Sequence, residues 1–220
     1  MLKIPCLVLD HDDTVVRTEE TINYPCFCQY LAQYHPGVQM TLEEYIQGCC
    51  TMGFVEMCRS QLCFSEEETA FEYGYWQEYI RNHIPDCYPG IDRLIHRFKA
   101  AGGILCVVSH SNREIITRDY TARFGMVPDA IYSWDLPPER RKPDPWPLHD
   151  LMGRYHLSPS QLLVVDDMTP GCQMAHAAGV KVAFSAWGRK GFPEVSAVME
   201  ECCDFTFQTP EALEQFLFTE

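Results

Sequence analysis

Six short segments of mostly apolar residues constrain the fold of this chain more than any other feature of its sequence. Their apolar residues are continuous rather than alternating, which is typical of parallel strands that are covered on both faces. Helical stretches lie between most of them, so the pattern predicts a doubly wound α/β domain with a parallel sheet. The candidate strands are Ile4–Leu9, Ile104–Val108, Ala130–Trp134, Gln161–Val165, Val180–Phe184 and a short late one, Asp204–Phe207.

The stretches between these strands carry the signals of helices. Residues 91–101 place apolar side chains at i, i+3, i+4 and i+7, and two glycines follow where the helix should end. Residues 113–124 and 173–178 each end before a single glycine. The four apolar side chains are Ile91, Leu94, Ile95 and Phe98, and the glycines are Gly102, Gly103, Gly125 and Gly179. These helices complete the alternation that a doubly wound domain requires.

The interval from about residue 18 to residue 87 differs, because helical patterns follow one another there without a clear strand. It includes a possible capping box at Thr41 and Glu44. Its exit is marked by proline and glycine in Tyr88-Pro89-Gly90, which favour a turn. We therefore predict an inserted helical domain at residues 18–87 and an α/β core made of residues 1–17 and 88–220.

Composition narrows the classes of partner. The 220 residues are 46% hydrophobic, which is enough for a substantial core, and the formal net charge is −14. Nucleic acids and anionic membranes select an excess of Lys and Arg, so neither is expected as a partner. No apolar run reaches the about 18 to 20 residues of a membrane span, and the N-terminus lacks the pattern of a signal peptide.

Twelve cysteines suggest either a disulfide framework or an intracellular chain with reduced thiols. Their spacings lack the C-x-x-C pairs of structural zinc sites, and Cys6 and Cys106 fall inside apolar strand-like runs. Disulfides follow oxidising compartments, so we favour reduced thiols and a cytoplasmic location.

Polar side chains follow the predicted strands directly. In open α/β sheets, ligands bind beyond the carboxyl ends of the strands, so these positions are the candidate site. They are Asp10-His11-Asp12-Asp13-Thr14 after the first strand, Ser109-His110-Ser111-Asn112 after the second, Asp166-Asp167 after the fourth, and Arg140 to Pro145 before a later helix.

The acidic residues in these loops indicate a metal site. Carboxylates of Asp10 and Asp167 at about 4 Å would repel each other by roughly 4 kcal/mol at an effective dielectric constant near 20, so a cation must offset them. Mg²⁺ prefers oxygen ligands and is usually held by one or two carboxylates and a substrate phosphate. We therefore predict Mg²⁺ rather than zinc.

The same residues suggest phosphoryl transfer. A carboxylate such as Asp10 can attack phosphorus, because an aspartyl phosphate divides one hard displacement into two easier ones. Asp12 is placed to protonate the leaving alcohol and later to activate water. Thr14 or Ser109 could hydrogen-bond the phosphoryl oxygens, and Lys142 could neutralise their charge.

These motifs together resemble those of the haloacid dehalogenase (HAD) superfamily of hydrolases. Its phosphatases carry an apolar strand followed by D-x-D-x-T, here Leu7 to Thr14. The resemblance continues through Ser109, through Lys142-Pro-Asp-Pro145, and through Val164-Val-Asp166-Asp167-Met-Thr-Pro-Gly171. It implies a Rossmann-like HAD core with the helical insertion as a cap domain, in the subfamily of phosphoglycolate phosphatase and β-phosphoglucomutase.

The resemblance also implies roles for individual residues. Asp10 would be the nucleophile and a Mg²⁺ ligand, and Asp12 would be the acid/base with its backbone carbonyl on the metal. Asp167 would be a further ligand, with Asp166 as a candidate beside it. Ser109 and Lys142 would hold the phosphate, and we group Thr14 and His110 with them.

Two positions depart from the family pattern. The common fourth motif G-D-x-x-x-D is absent, because Asp166 replaces the glycine and Gly171 falls where the second aspartate would be. This arrangement resembles the E-D-S-x-x-G variant of β-phosphoglucomutase-like members. Asp13 stands where many relatives have glycine, and Asp tolerates the left-handed backbone that a sharp turn needs.

The leading interpretation is a Mg²⁺-dependent phosphatase acting on a small phosphorylated metabolite, under a cap that closes during the reaction. A phosphomutase would use the same nucleophile and return the phosphoryl group to a sugar hydroxyl. A non-catalytic HAD-fold binding protein would keep the fold without turnover. Aromatic residues of the helical domain, and Arg59, are candidates for substrate contact or for packing, and the sequence makes no prediction about the substrate or the oligomeric state.

Overall fold

The structure is a computed structural model that describes residues 2–218, except for the side chain of Cys50. The chain divides into two compact units. One is formed by the residues up to Val16 and from Cys87 onward, and the other is formed by Arg17–Asp86. These divisions lie one residue from the boundaries expected from the sequence.

Six strands of the described residues form one sheet in the first unit, and every neighbouring pair is parallel. The strands are β1 (Cys6–Leu9), β2 (Ile104–Val108), β3 (Ala130–Tyr132), β4 (Leu162–Asp166), β5 (Lys181–Ser185) and β6 (Phe205–Phe207). Their order is β3-β2-β1-β4-β5-β6, so the chain builds outward in both directions from β1. The predicted doubly wound parallel sheet is confirmed.

Among the described residues, five α-helices of this unit lie between its strands in the sequence, and a sixth follows β6. They are α5 (Ile91–Ala100), α6 (Arg113–Phe124), α7 (Trp146–Tyr155), α8 (Thr169–Ala177), α9 (Pro193–Cys202) and α10 (Pro210–Leu217). The apolar face predicted for α5 is fully buried, since Ile91, Leu94, Ile95 and Phe98 are all 0% exposed. The helix predicted at 173–178 is longer than expected and begins at Thr169, because Pro170 is suited to its first turn.

Apolar packing covers both faces of the sheet. Leu7 and Leu9 belong to a cluster that includes residues of α5, α6 and α10, whereas Cys6 and Val8 belong to another that includes residues of α7 and α8. Successive side chains of a strand point to opposite faces, so a strand buried on both sides must be apolar at every position. This explains the continuous apolar runs in the sequence.

The second unit is helical throughout its regular elements. It contains a π-helical segment (Glu19–Asn23), α1 (Tyr24–Tyr34), α2 (Leu42–Met52), α3 (Phe54–Leu62) and α4 (Glu66–Asn82). The capping box predicted at the start of α2 is present, since the Glu44 backbone N–H donates to Thr41 Oγ1 and the Thr41 N–H donates to Glu44 Oε2. Arg59, a candidate for substrate contact, forms an exposed ion pair with Glu56.

Within residues 2–218, no helix is both long enough and apolar enough to cross a membrane. The eleven cysteines whose side chains are described are all free thiols. Three of them meet where α8 and the end of α9 come together, with the sulfur atoms of Cys172, Cys202 and Cys203 within 4.8 Å of one another. Spacing along the sequence gave no sign of this group, because Cys172 lies in α8, whereas Cys202 is the last residue of α9 and Cys203 follows it.

Glu72 of α4 is a buried carboxylate, and it makes the stability of the protein depend on pH. Burial raises the pKa of Glu72 from 4.5 to about 7. Between these values the folded chain holds a proton that the unfolded chain has lost, so stability falls as the pH rises through this window. We expect Glu72→Gln, which does not titrate, to gain up to about 3 kcal/mol of unfolding free energy relative to the wild type between pH 4.5 and pH 8.

Urea unfolding of both proteins at the two pH values measures this change. Glu78→Gln is the control, because Glu78 lies on the same helix with its side chain 68% exposed. A constant difference between the Glu72 variant and the wild type across the range would contradict the expected burial.

Candidate active site

Asp10 lies at the carboxyl end of the central strand. Leu9 pairs with Val107 of β2 on one side and with Val165 of β4 on the other, and the Asp10 backbone N–H donates to the Val165 carbonyl at 2.9 Å. Asp10 therefore emerges level with the end of β4, where Asp166 is the last residue of the strand and Asp167 follows it. The register of three parallel strands brings together the loops that the sequence had singled out.

Three carboxylates and one ammonium group form the centre of the site. Lys142 Nζ donates to Asp10 Oδ1 at 2.6 Å and to Asp166 Oδ2 at 2.8 Å. One carboxylate oxygen from each of Asp10, Asp166 and Asp167 lies within 4.8 Å of the others, and all four side chains are buried.

Burial and mutual repulsion set the charge states here. Burial raises the pKa of Asp10 well above its ordinary value; the Lys142 charge opposes this shift, and the neighbouring carboxylates add to it. Burial likewise raises the pKa of Asp166, with Lys142 opposing. For Lys142 itself, burial lowers the pKa but the two carboxylates raise it more, so the net shift is upward and the ammonium keeps its proton.

A second buried ion pair adjoins the first. Arg189 Nη1 lies 3.0 Å from Asp13 Oδ2, and Arg189 Nη2 lies 2.5 Å from Asp167 Oδ2. The hydroxyl of Thr14 donates to Asp167 Oδ1 at 3.2 Å and lies 2.8 Å from the hydroxyl of Ser185. Each carboxylate oxygen of Asp167 thus has one partner: Arg189 contacts Oδ2, and the Thr14 hydroxyl donates to Oδ1. Phosphate binding by Thr14 stays a prediction.

The carboxylate of Asp12 points to a different set of partners from that of Asp10. Ser111 Oγ donates to Asp12 Oδ2 at 2.5 Å, and Ser109 Oγ lies 3.4 Å from the same oxygen. The Ser111 backbone N–H donates to Ser109 Oγ at 3.0 Å. Two hydroxyls therefore surround one oxygen of Asp12, a half-buried side chain outside the three-carboxylate group.

The two histidines near the site make local contacts. His110 Nε2 lies 2.9 Å from the backbone carbonyl of Lys142, and burial lowers the pKa of His110. His11 is fully buried, with Nε2 3.2 Å from Asp119 Oδ2 and its ring stacked on Tyr120. His110 thus supports the loop that carries Lys142, and its assignment to phosphate binding stays a prediction.

The donor set fits a divalent cation. Four buried carboxylates contact two cationic side chains: Asp10 and Asp166 contact Lys142, and Asp13 and Asp167 contact Arg189. The excess negative charge is buried, and a buried charge requires compensation. Oxygen ligands of this kind suit hard cations such as Mg²⁺. Asp10, Asp166 and Asp167 are the side chains that could hold it.

The turn after β1 requires an unusual backbone and a close neighbour. Asp13 adopts φ 53°, the left-handed conformation expected for the residue that replaces glycine. Gly188 packs against this turn so closely that a Cβ there would lie 1.8 Å from the Asp13 carbonyl oxygen. Trp187 Nε1 donates to the Thr14 carbonyl at 2.9 Å. The segment after β5 therefore packs against the turn after β1 and holds it in place.

Gly171 explains the departure from the fourth family motif. A Cβ at this position would lie 2.1 Å from Asp166 Oδ2 and 2.6 Å from Asp166 Cβ, so the Asp166 side chain occupies the space beside the helix. We expect Gly171→Ala to lose about 1–3 kcal/mol of unfolding free energy through overpacking. Thermal or urea unfolding measures this loss.

Gly153→Ala is the matched control, because Gly153 lies in α7 with no atom within 4 Å of an added Cβ. Alanine there should be neutral or stabilising, since it has the higher helix propensity. Equal stability of the two variants would mean that Asp166 moves aside without cost.

Two residues of this site were missed by the sequence reasoning. Arg189 comes four residues after β5, in the turn Ala186–Arg189, and Ser111 comes three residues after β2. The signal for Ser111 was its place in a polar loop already singled out. For Arg189 the available signal was the polar end of the fifth strand, which we did not include among the candidate loops.

The sequence of this chain matches one family model and is similar to known phosphatases. Residues 7–185 match the family model described as haloacid dehalogenase-like hydrolase. A phosphoglycolate phosphatase of Haemophilus influenzae (strain 86-028NP) is 30% identical over 117 residues, which are 52% of this chain and 50% of that protein. One of Nitrosospira multiformis is 30% identical over 118 residues, 53% of this chain and 50% of that protein. The chain spans about half the length of the curated relatives it matches.

Solved structures share the fold. A predicted phosphoglycolate phosphatase from Haemophilus somnus 129pt has a TM-score of 0.77 at 20% identity, covering 98% of this chain and 99% of that chain. CbbY from Rhodobacter sphaeroides, in complex with phosphate, has a TM-score of 0.68 at 20% identity, covering 94% of this chain and 95% of that one. The core and the helical insertion therefore occur together in known structures.

Proposed function

Because this chain belongs to the haloacid dehalogenase-like hydrolase family, we propose that it is a Mg²⁺-dependent phosphatase that acts through an aspartyl phosphate on Asp10. The observation that carries the proposal is the position of Asp10, whose Oδ1 lies 2.6 Å from Lys142 Nζ and whose carboxylate shares a buried group with Asp166 and Asp167. A nucleophile held beside a fixed ammonium group suits attack on an anionic phosphoryl group.

The first half of the reaction forms a bond from an Asp10 carboxylate oxygen to phosphorus. The bond from phosphorus to the substrate alkoxide oxygen breaks, and a proton from Asp12 passes to that oxygen. Lys142 neutralises charge on the phosphoryl oxygens beside the attacking group. The hydroxyls of Ser109 and Ser111, near Asp12, orient its carboxyl group for this transfer.

The second half releases phosphate. Asp12 accepts a proton from water as the water oxygen attacks phosphorus, and the bond from phosphorus to the Asp10 oxygen breaks. Asp10 is thereby regenerated as a carboxylate. When bound by Asp10, Asp166 and Asp167, Mg²⁺ supplies additional charge compensation for the phosphoryl oxygens. Arg189 and Thr14 hold Asp167 in position for that role.

Similarity to known proteins supports a small phosphorylated metabolite as the substrate, because the two curated relatives are phosphoglycolate phosphatases. We assign the helical unit the role of a cap over the bound substrate. A phosphomutase remains the second candidate, favoured by the pairing of Asp166 with Gly171 in place of the common motif. A cytoplasmic location stays a prediction based on the reduced thiols.

The test is an assay of the purified protein against a panel of phosphate monoesters, following both free phosphate and isomerised sugar phosphate. We expect phosphate release with Mg²⁺, its loss after treatment with a chelator, and its return when Mg²⁺ is restored. Isomerisation of a sugar phosphate without net phosphate release would contradict the phosphatase proposal and support a phosphomutase. A folded, metal-binding protein with no turnover on the panel would favour the non-catalytic alternative.

A further inference from the structure

A cavity lies inside the helical unit, among the π-helical segment and helices α2, α3 and α4. Its volume is about 270 Å³, which suits a small molecule. Aromatic rings and two carboxylates line it: Tyr45, Phe54, Tyr73, Trp76, Glu19 and Glu72. This combination of aromatic faces and negative charge is the chemistry that recognises an organic cation.

Glu72 is the residue that most needs a ligand. Its side chain is 4% exposed, lines the cavity, and makes no hydrogen bond or ion pair with any part of the chain that the structure describes. A buried carboxylate without a partner costs free energy in either charge state. A cation in the cavity would supply the missing partner.

One amide side chain, that of Asn23, holds the Trp76 indole and the Glu19 carboxylate in place. Trp76 Nε1 donates to Asn23 Oδ1 at 2.8 Å, and Asn23 Nδ2 donates to Glu19 Oε1 at 3.1 Å. Tyr73 stacks on Trp76 with ring centroids 5.6 Å apart. The indole face and the second carboxylate are thus oriented before any ligand arrives, which reduces the entropy lost on binding.

The charge of the whole helical unit favours the same class of ligand. Residues 17–86 contain eleven Asp and Glu, three Arg and no Lys, a formal net charge of −8. The field of such a unit attracts cations and repels additional carboxylates. This charge therefore favours a positively charged ligand in the cavity.

We propose that this cavity binds the ammonium group of a small organic amine, with alkylated ammonium preferred because its methyl groups pack against the aromatic rings. The ammonium group belongs either to the phosphorylated substrate, a case that rests on the phosphatase function proposed above, or to a separate small amine. The recognition chemistry is the same for both sources.

The first test compares choline chloride with 3,3-dimethylbutan-1-ol, a neutral analogue of the same shape, by calorimetric titration of the whole protein at pH 8. We expect choline to bind at least about tenfold more tightly than the alcohol, since only choline carries the charge that the aromatic rings attract. Glu72→Gln should weaken choline binding at least about tenfold. Equal binding of the two compounds, or choline binding unchanged by Glu72→Gln, overturns the proposal.

Matched variants show whether a loss of choline binding comes from the cavity or from a general change in charge or folding. Glu78→Gln removes an exposed carboxylate of the same helix and should leave choline binding unchanged. Circular dichroism and thermal melting establish that the Glu72 variant is folded. Asn23→Leu, which frees the Trp76 ring, should also weaken choline binding, although Asn23 carries no charge.

The second test identifies the source of the ammonium group. Phosphate release from phosphocholine and from 3,3-dimethylbutyl phosphate is compared in the wild type and in Glu72→Gln. A preference for phosphocholine that the variant loses assigns the ammonium group to the substrate; choline binding without such a preference assigns it to a separate amine. Choline binding is also measured on Asp10→Asn, so a failure of the phosphatase function leaves this proposal testable.

Discussion

Asp10→Asn is expected to reduce phosphate release by about 10³-fold or more, because it removes the carboxylate that we propose as the nucleophile. The asparagine amide is a poor nucleophile, yet it keeps the size of the side chain between β2 and β4. Lys142 retains its second partner, Asp166, at 2.8 Å, so the loop should remain in place. The expected result is a folded protein that binds substrate and does not turn it over.

Steady-state kinetics measure the loss, and mass spectrometry measures its cause. The wild type, quenched during turnover, should carry one phosphoryl group on the peptide that contains Asp10, and the variant should carry none. Asp92→Asn is the control, since Asp92 is an exposed residue in the first turn of α5. Phosphate release by Asp10→Asn at a rate near that of the wild type would contradict the proposal that Asp10 is the nucleophile.

The sequence predicted the sheet well because each strand is buried on both faces. The runs around Leu7, Leu105 and Val164 had to be apolar at every position, and their ends therefore stood out against the polar loops that follow. Differences are confined to ends: β1 begins at Cys6 rather than Ile4, because Pro5 has no N–H to donate to a neighbouring strand. Strand β3 stops at Tyr132, and Trp134 is exposed.

The chemistry-bearing residues were predictable for a related reason. Parallel strands align their carboxyl ends, so Asp10, Asp166 and Asp167 could be assigned to one place from the sequence alone. What the sequence could not supply is which polar group each one contacts. The Thr14 hydroxyl contacts Asp167 and Ser185, residues about 150 and 170 positions away, and its binding of phosphate stays a prediction.

Features that depend on packing between distant helices lay beyond sequence reasoning. Trp76 and Tyr73 repeat at helical spacing, which fits a packed core and a ligand cavity equally well. Only the fold shows that both line a cavity with Glu72. The thiols of Cys172 and Cys202 likewise meet through the packing of two helices that are separated along the chain by β5.

Arg189→Met is expected to cost about 3–5 kcal/mol of unfolding free energy, because it leaves the carboxylates of Asp13 and Asp167 buried without their cation. The Arg189 side chain is only 8% exposed, and the two carboxylates are 4% and 1% exposed, so water cannot replace it. A typical domain has about 5–15 kcal/mol in total, so the loss is a large part of the stability. Urea unfolding in the absence of divalent cations measures it.

Arg81→Met is the matched control, because it makes the same change at an ion pair with Glu78 in which both side chains are about 70% exposed. Exposed pairs contribute about 0–1 kcal/mol, so this variant should unfold close to the wild type. Both variants lose one arginine, so the difference between their unfolding free energies measures the effect of burial. If Arg189→Met costs no more than Arg81→Met, the stability of the loop after β1 and of Asp167 does not depend on the guanidinium.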